Sequence, residues 1–349
     1  GKTTVTSLIG QLLERAGMRV AVAGNIGPTL LDTLGNALEQ EQSQWPQAWV
    51  LELSSFQLDQ VDNFEPTAAT VLNLTQDHLD WHGDIDAYAK AKARIFGRQA
   101  SIVLNRDDSN VMAMLPAPVA KTKGSKQPPR EVMRFGADMP TQHGDWGLET
   151  VNGMTWLVRA LNVDETRKSR ASTETEIYIQ RLLPVDALRI RGRHNALNAM
   201  AALALASSTG APLASMLYAL REYRGEPHRV ASIAVLQDIE YIDDSKGTNV
   251  GATVAAINSV GADRRIVLIL GGDGKDQDFS SLRVPIQQYV RSLVLIGKDA
   301  AELRQVLQGA GVPMHDAASL EDAVKLCRSL AQTGDAVLLS PACASFDMF

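Results

Sequence analysis

The stretch GKTTVTSLIGQLL, Gly1 to Leu13, opens the chain and decides how the rest of it is read. Gly1-Lys2-Thr3-Thr4 supplies the last glycine, the lysine and the hydroxyl residue of a phosphate-binding loop, and it runs straight into apolar residues at helical spacing. In a complete G-x-x-x-x-G-K-[ST] loop, backbone N–H groups wrap the phosphates, the lysine meets the outer phosphates and the Ser/Thr hydroxyl takes Mg2+. A strand and a first glycine are expected before such a half-loop, so the sequence reads as part of a longer protein. GKTT by itself also occurs by chance, and the plain alternative is a helix start that binds nothing.

Downstream, short apolar runs at Arg19 to Gly24, Ala48 to Leu53, Ala68 to Leu74 and Ser101 to Asn105 read as buried strands separated by amphipathic segments. That alternation is the pattern of parallel α/β units. Polar stretches from Lys121 to Arg130 and from Asn162 to Glu176 read as surface loops around short strands such as Met154 to Arg159. His194 to Ser208 is alanine-rich and nearly all apolar, which predicts a buried helix, with a second helix over Pro212 to Tyr223. The turn-rich Arg224-Gly225-Glu226-Pro227-His228 then marks a domain boundary, giving domains over 1–224 and 225–349. The second shows its own alternation: strands at Val230 to Gln237, Glu240 to Asp243, Arg265 to Leu270, Ser292 to Ile296 and Ala336 to Leu339, with helices at Asn249 to Val260, Ala300 to Ala310 and Leu320 to Ala331. In doubly wound sheets of this kind, ligands sit at the carboxyl ends of strands.

Bulk properties narrow the partners. With 349 residues, 34 basic and 40 acidic side chains and a net charge of −6, the chain carries no broad basic field for nucleic acid. Two cysteines, Cys327 and Cys343, cannot build a disulfide framework and fit a reducing cytoplasm. No run approaches the roughly 20 apolar residues of a membrane span, and no secretion signal is visible.

Polar motifs fall where strands end. Gly24-Asn25-Ile26-Gly27-Pro28 is either a tight turn or a ligand loop in which Asn25 donates and accepts. In Leu51-Glu52-Leu53-Ser54-Ser55, Glu52 closes an apolar strand, a costly place for a carboxylate without a cation, and nucleotide-bound Mg2+ is the natural one. Thr75-Gln76-Asp77-His78-Leu79-Asp80 reads either as a helix cap on Asp77 or as a metal or phosphate contact through His78. Tyr88 to Phe96, with Lys92, reads from physics alone as a basic helix with a solvated face. In the second domain, Asp243-Asp244-Ser245-Lys246-Gly247-Thr248, Gly271-Gly272-Asp273-Gly274-Lys275 and Ser340-Pro341-Ala342-Cys343-Ala344-Ser345 follow three strands, and together they suggest one binding edge. Cys343 has no argument for a lowered pKa, so packing is the reading for it.

Taken in order, GKTT, GNIG, LELSSFQL, TQDHLDWHG, YAKAKARIF, GRHNALNA, GEPHRV, DDSKGTN, GGDGK and SPACASFDMF resemble the Mur ligase family over essentially the whole chain, and most closely its D-glutamate-adding branch. The resemblance implies an α/β fold with a P-loop NTPase-like central domain and a C-terminal Rossmann-like domain. It implies a cytoplasmic, monomeric, ATP-dependent ligase of peptidoglycan precursor synthesis that joins D-glutamate to UDP-N-acetylmuramoyl-L-alanine through an acyl phosphate. Gly1, Lys2, Thr3 and Thr4 would bind the nucleotide, with Asn195, Asn198, Arg229 and Asp244 on its adenine and ribose side. Thr3 and Glu52 would hold one Mg2+; His78 and a carbamylated Lys92 would hold a second, which reverses the plain reading of Lys92. Asn25, His78, Lys246, Thr248, Lys275, Ser345 and Phe346 would meet the substrates. The family's UDP-binding domain precedes Gly1 and a short segment follows Phe349, so the 349-residue polypeptide alone is expected to be weak or inactive. Rivals are a folylpolyglutamate synthase-like ligase and a P-loop ATPase that uses no amino acid.

Overall fold

In the computed structural model, which describes residues 1–75, 79–116, 130–163, 177–275 and 277–344, the opening GKTT forms the first turn of helix α1 (Lys2–Arg15). Val5, Leu8, Ile9, Leu12 and Leu13 recur at the spacing of one helix face, and all are buried. Strand β1 (Val20–Gly24), α2 (Leu30–Leu38), β2 (Ala48–Glu52) and α3 (Ser55–Asp59) follow. After them come β3 (Ala68–Val71), α4 (Leu79–His82), α5 (Ile85–Ala93), β4 (Ser101–Asn105) and α6 (Ser109–Ala113). The last elements of the first unit, Gly1–Arg224, are β5 (Val132–Phe135), β6 (Trp146–Val151), β7 (Met154–Asn162), β8 (Ile177–Pro184), α7 (Arg193–Ser207) and α8 (Leu213–Glu222).

β1 and β2 pair in parallel as a two-stranded sheet, and β3-β4-β5-β6-β7-β8 form a second sheet. The second is mixed rather than purely parallel: β3 to β6 run parallel, while β6, β7 and β8 form an antiparallel meander. A two-residue turn explains the change of direction, because Asn152 and Gly153 both have positive φ (52° and 80°), the geometry of a tight hairpin. That Asn-Gly turn lengthens the short strand expected near Met154. Helix α1 lies on α7 and α8, and the three share one apolar core with side chains of both sheets, among them Val50, Val103 and Leu157. The alanines of α7 make this possible: Ala196, Ala199, Ala201, Ala202, Ala204 and Ala206 are all fully buried, and their small side chains let neighbouring helices come close.

The second unit, Gly225–Phe349, opens with the hairpin β9 (Ala231–Leu236) and β10 (Ile239–Asp243). It continues through α9 (Val250–Gly261), β11 (Ile266–Gly271), α10 (Arg283–Tyr289), β12 (Val290–Ile296), α11 (Ala300–Leu307), β13 (Met314–Asp316), α12 (Leu320–Leu330) and β14 (Ala336–Leu339). The sheet order is β13-β12-β11-β14-β10-β9, parallel except for the edge strand β9. Alternate strand residues feed two cores, one holding Leu268, Leu293 and Leu338 with α9, α10 and α11, the other Val267, Val294 and Val337 with α12. This is the doubly wound arrangement. Cys327 and Cys343 are both fully buried in this unit, and burial pushes the Cys327 thiol up to about 12.

His78 and Asp77, Ser345 and Phe346, and most of the two expected polar loops lie outside the described residues.

Candidate functional site

In the first unit the proposed phosphate loop stands at the amino end of α1. Gly1 and Lys2 are exposed, Thr3 is half-buried and Thr4 is buried, so the lysine is open to solvent while the second hydroxyl packs inward. The amino end of α7 is close by. His194 there is pushed down to about 4 by burial. Beside it, Asn195 and Asn198, one turn apart, are brought together: Asn198 Nδ2 donates to Asn195 Oδ1 at 3.0 Å, and Asn195 Nδ2 donates to the Arg191 carbonyl at 2.8 Å.

Asn25 and Glu52 meet through the β1–β2 ladder, where Gly24 pairs with Glu52 and the Asn25 N–H donates to the Glu52 carbonyl at 2.6 Å. Gly24 has φ 121°, and a side chain there would run into the Glu52 backbone, so only glycine lets the two loops come this close. The Asn25 side chain is exposed. Glu52 is 5% exposed, and its Oε2 has no hydrogen-bond donor among the described residues. A buried carboxylate oxygen without a partner is costly, and it fits a cation that completes the site. Among the described residues no group of three His, Cys, Asp or Glu side chains converges.

The helix of Lys92 is not solvated all round. Tyr88 and Ala91 of α5 are buried, and Lys92, one turn beyond Tyr88, is half-buried with Nζ 4.6 Å from the Tyr88 ring centre. An ammonium is attracted to that ring face. His82 lies against the other members of this aromatic group, stacked on Phe56 at 5.8 Å and bonded through Nε2 to Ser55 Oγ at 3.0 Å.

In the second unit β14 sits between β11 and β10, so the loops after these three strands converge at one edge. Lys246 and Thr248 are exposed on the first loop and Lys275 is exposed on the second. The second loop depends on glycine: Gly271 and Gly272 have φ 130° and 134°, and side chains there would strike the backbone at Ile296 and Ala344. The loop is further held by Gly274 N–H to Asp299 Oδ2 at 2.6 Å and by Lys298 Nζ to Asp273 Oδ2 at 3.3 Å.

Asp244 differs from the exposed lysines. It is 6% exposed, its Oδ1 accepts the Val230 N–H at 3.2 Å and its Oδ2 accepts the Ser340 hydroxyl at 2.7 Å. Burial raises it to about 6, against the opposing effect of these bonds and of Arg229. Arg229 lies half-buried between His228 (φ 64°) and Val230 (φ 50°), and His228 Nδ1 lies 2.6 Å from Asp243 Oδ2. Sequence reasoning did not single out Ser340 by itself, Thr253, or the His228–Asp243 pair. Thr253 had a signal: it stands on the buried stripe Val250, Thr253, Ile257 and Val260 of α9, where a hydroxyl needs a partner.

Comparison with known proteins gives matches over both units. A model described as the Mur ligase middle domain matches residues 1–206, and one described as Mur ligase, glutamate ligase domain, matches 228–343. The protein named UDP-N-acetylmuramoylalanine--D-glutamate ligase in Polaromonas sp. (strain JS666 / ATCC BAA-500) is 64% identical over 351 residues, covering 100% of this chain and 59% of that protein. The one so named in Albidiferax ferrireducens is 59% identical, covering 100% of this chain and 68% of that protein. The chain thus spans 59% of the length of its Polaromonas relative. Among solved structures, MurF ligase from Thermotoga maritima in complex with ADP superposes with a TM-score of 0.67 at 17% identity, covering 97% of this chain and 73% of that one. The UDP-N-acetylmuramate-alanine ligase MurC of Thermotoga maritima gives 0.63 at 20% identity, covering 98% and 70%. These two are likenesses of fold.

Proposed function

Because the chain belongs to the Mur ligase family, we propose that it serves the ATP-dependent ligation of D-glutamate to UDP-N-acetylmuramoyl-L-alanine, a cytoplasmic step of peptidoglycan precursor synthesis. The 64% identical relative supports the choice of amino acid. The observation that carries the chemistry is the buried Glu52 oxygen without a partner at the end of β2, in the unit whose first helix begins with GKTT.

The substrate carboxylate attacks the terminal phosphoryl group of ATP, giving an acyl phosphate and ADP. The free amine of D-glutamate then adds to the acyl carbon, and the tetrahedral adduct expels phosphate as the amide forms. Such transfers need positioning and charge neutralisation more than a covalent protein group. Lys2 and the backbone N–H groups of the first turn of α1 bind the phosphates. Asn195 and Asn198, with Arg229 and Asp244, serve the adenine and ribose side. Thr3 and Glu52 would hold one Mg2+, and His78 with a carbamylated Lys92 would hold a second; bound there, the ions would neutralise phosphate charge. Lys92 Nζ lies 4.6 Å from the Tyr88 ring centre; its ammonium would repel a cation while its carbamate would attract one. Lys246, Thr248, Lys275, Ser345 and Phe346 receive D-glutamate, whose two carboxylates suit paired cations and hydroxyls, while Asn25 faces the acceptor.

Phosphate release with ATP, Mg2+ and UDP-N-acetylmuramoyl-L-alanine should depend on D-glutamate and respond far less to L-glutamate or diaminopimelate. No preference for the D-isomer would sink the assignment. Lys92→Ala should cost at least about a hundredfold in kcat and regain activity with added short carboxylates. ATP hydrolysis indifferent to amino acid, and unchanged by Lys246→Ala and Lys275→Ala, would identify an ATPase of another kind.

A further inference from the structure

The carboxyl edge of the second unit contains a buried polar cluster of which the proposed chemistry uses only Asp244. Ser340 and Thr253 are both fully buried and Asp244 nearly so. Each hydroxyl has one proton to give. The Ser340 proton goes to Asp244 Oδ2 at 2.7 Å, and Ser340 Oγ lies 3.0 Å from Thr253 Oγ1. The Thr253 hydroxyl in turn reaches the Gly247 carbonyl at 3.3 Å and the Ser340 carbonyl at 3.4 Å. Asp244 Oδ1 takes the N–H of Val230, a β-branched residue at positive φ that needs an external hold to stay there. Backbone bonds repeat the same connections: Lys246 N–H to the His228 carbonyl at 3.2 Å and Ala342 N–H to the Gly247 carbonyl at 2.8 Å.

Three separate segments therefore meet on one carboxylate: the turn of Arg229, the loop of Lys246 and Thr248, and the loop after β14. Nothing in the sequence joins them, and no ligand can reach the hydroxyls that do. We propose that Ser340 and Thr253 are positioning residues, a hydroxyl clamp on Asp244 that makes these three loops move as one body and so sets the geometry in which the amino acid is received. The clamp fixes where Lys246 and Thr248 stand without touching the substrate. Its kinetic consequence rests on the ligase reading; its mechanical consequence does not.

The test uses Ser340→Ala, Thr253→Val and the hydroxyl-preserving Thr253→Ser, with hydrogen exchange and steady-state kinetics on the same preparations. In Ser340→Ala and Thr253→Val, amides of 228–230, 245–249 and 340–344 should all exchange faster, by about tenfold, while α12 keeps its protection. The KM for D-glutamate should rise about tenfold, and the KM for ATP should rise with it because Asp244 and the turn of Arg229 also serve the nucleotide. Thr253→Ser should match the parent in both. Faster exchange confined to the segment next to the substitution, or a D-glutamate KM unchanged in a folded variant, would overturn the clamp. Coupled exchange in a parent that shows no dependence on D-glutamate would uphold the clamp and remove the ligase reading instead.

Discussion

Glu52 takes a carboxylate into a place where one oxygen meets no donor, and that cost is carried until a cation arrives. Glu52→Gln should therefore do two opposite things. In the absence of nucleotide and divalent metal, thermal melting should show a gain of about 1 kcal/mol, because an unpaired buried charge is gone. With Mg2+ and ATP, phosphate release should fall by about a hundredfold or more; a variant less stable than the parent without metal would contradict the reading. His194 gives a second handle at this scale. Its pKa is about 4 in the folded state, below the ordinary 6.5, so the unfolded chain binds the extra proton between these values. Stability is intact above pH 6.5 and is lost as pH falls through that window, by about 3 kcal/mol at most. Melting of His194→Gln between pH 7 and 5 should be flatter than that of the parent. The sequence announced Glu52, a charge closing an apolar strand, and it announced the lysines of the second unit. It could not announce Ser340 and Thr253, since a hydroxyl's meaning depends on partners 87 residues away that only the sheet order brings together.

Among the elements, α7 shows how composition becomes packing. An alanine-rich run predicts a buried helix, and Arg193–Ser207 is one, but the run does not say which neighbour uses the smooth surface. The neighbour is α1, so the helix bearing the proposed phosphate loop rests on a face with almost no side-chain relief. Enlarging that face should be felt: Ala199→Leu is expected to cost about 1–3 kcal/mol in chemical denaturation, whereas Ala214→Leu on the exposed side of α8 should cost almost nothing. Most strands and helices lie within a few residues of where apolar spacing puts them. The meander β6-β7-β8 was not legible as such, because half-exposed strands such as β8 alternate weakly and their pairing is set by a turn and by cross-strand partners. The α5 helix misled in another way. Lysines at two of nine positions suggested a solvated face, while Tyr88 beneath them gave Lys92 an apolar and aromatic bed.

At the scale of the whole molecule, each of the two units has its own cores, and apart from the antiparallel strands at its sheet edges each follows the α/β alternation visible in the sequence. The division also sorts two kinds of side chain. All five tryptophans, Trp45, Trp49, Trp81, Trp146 and Trp156, belong to the first unit, and both cysteines belong to the second. Cys327 and Cys343 are buried, so an alkylating reagent can reach them only when that unit opens. The chain is thus labelled in advance with two signals that do not overlap. Along a urea titration, indole emission reports one unit and thiol capture the other, with no engineered probe in either. If the halves melt independently the two curves should have different midpoints, and ATP should move the emission curve by more than the capture curve. Superimposed curves that shift together would show a single cooperative molecule, in which neither unit opens without its neighbour.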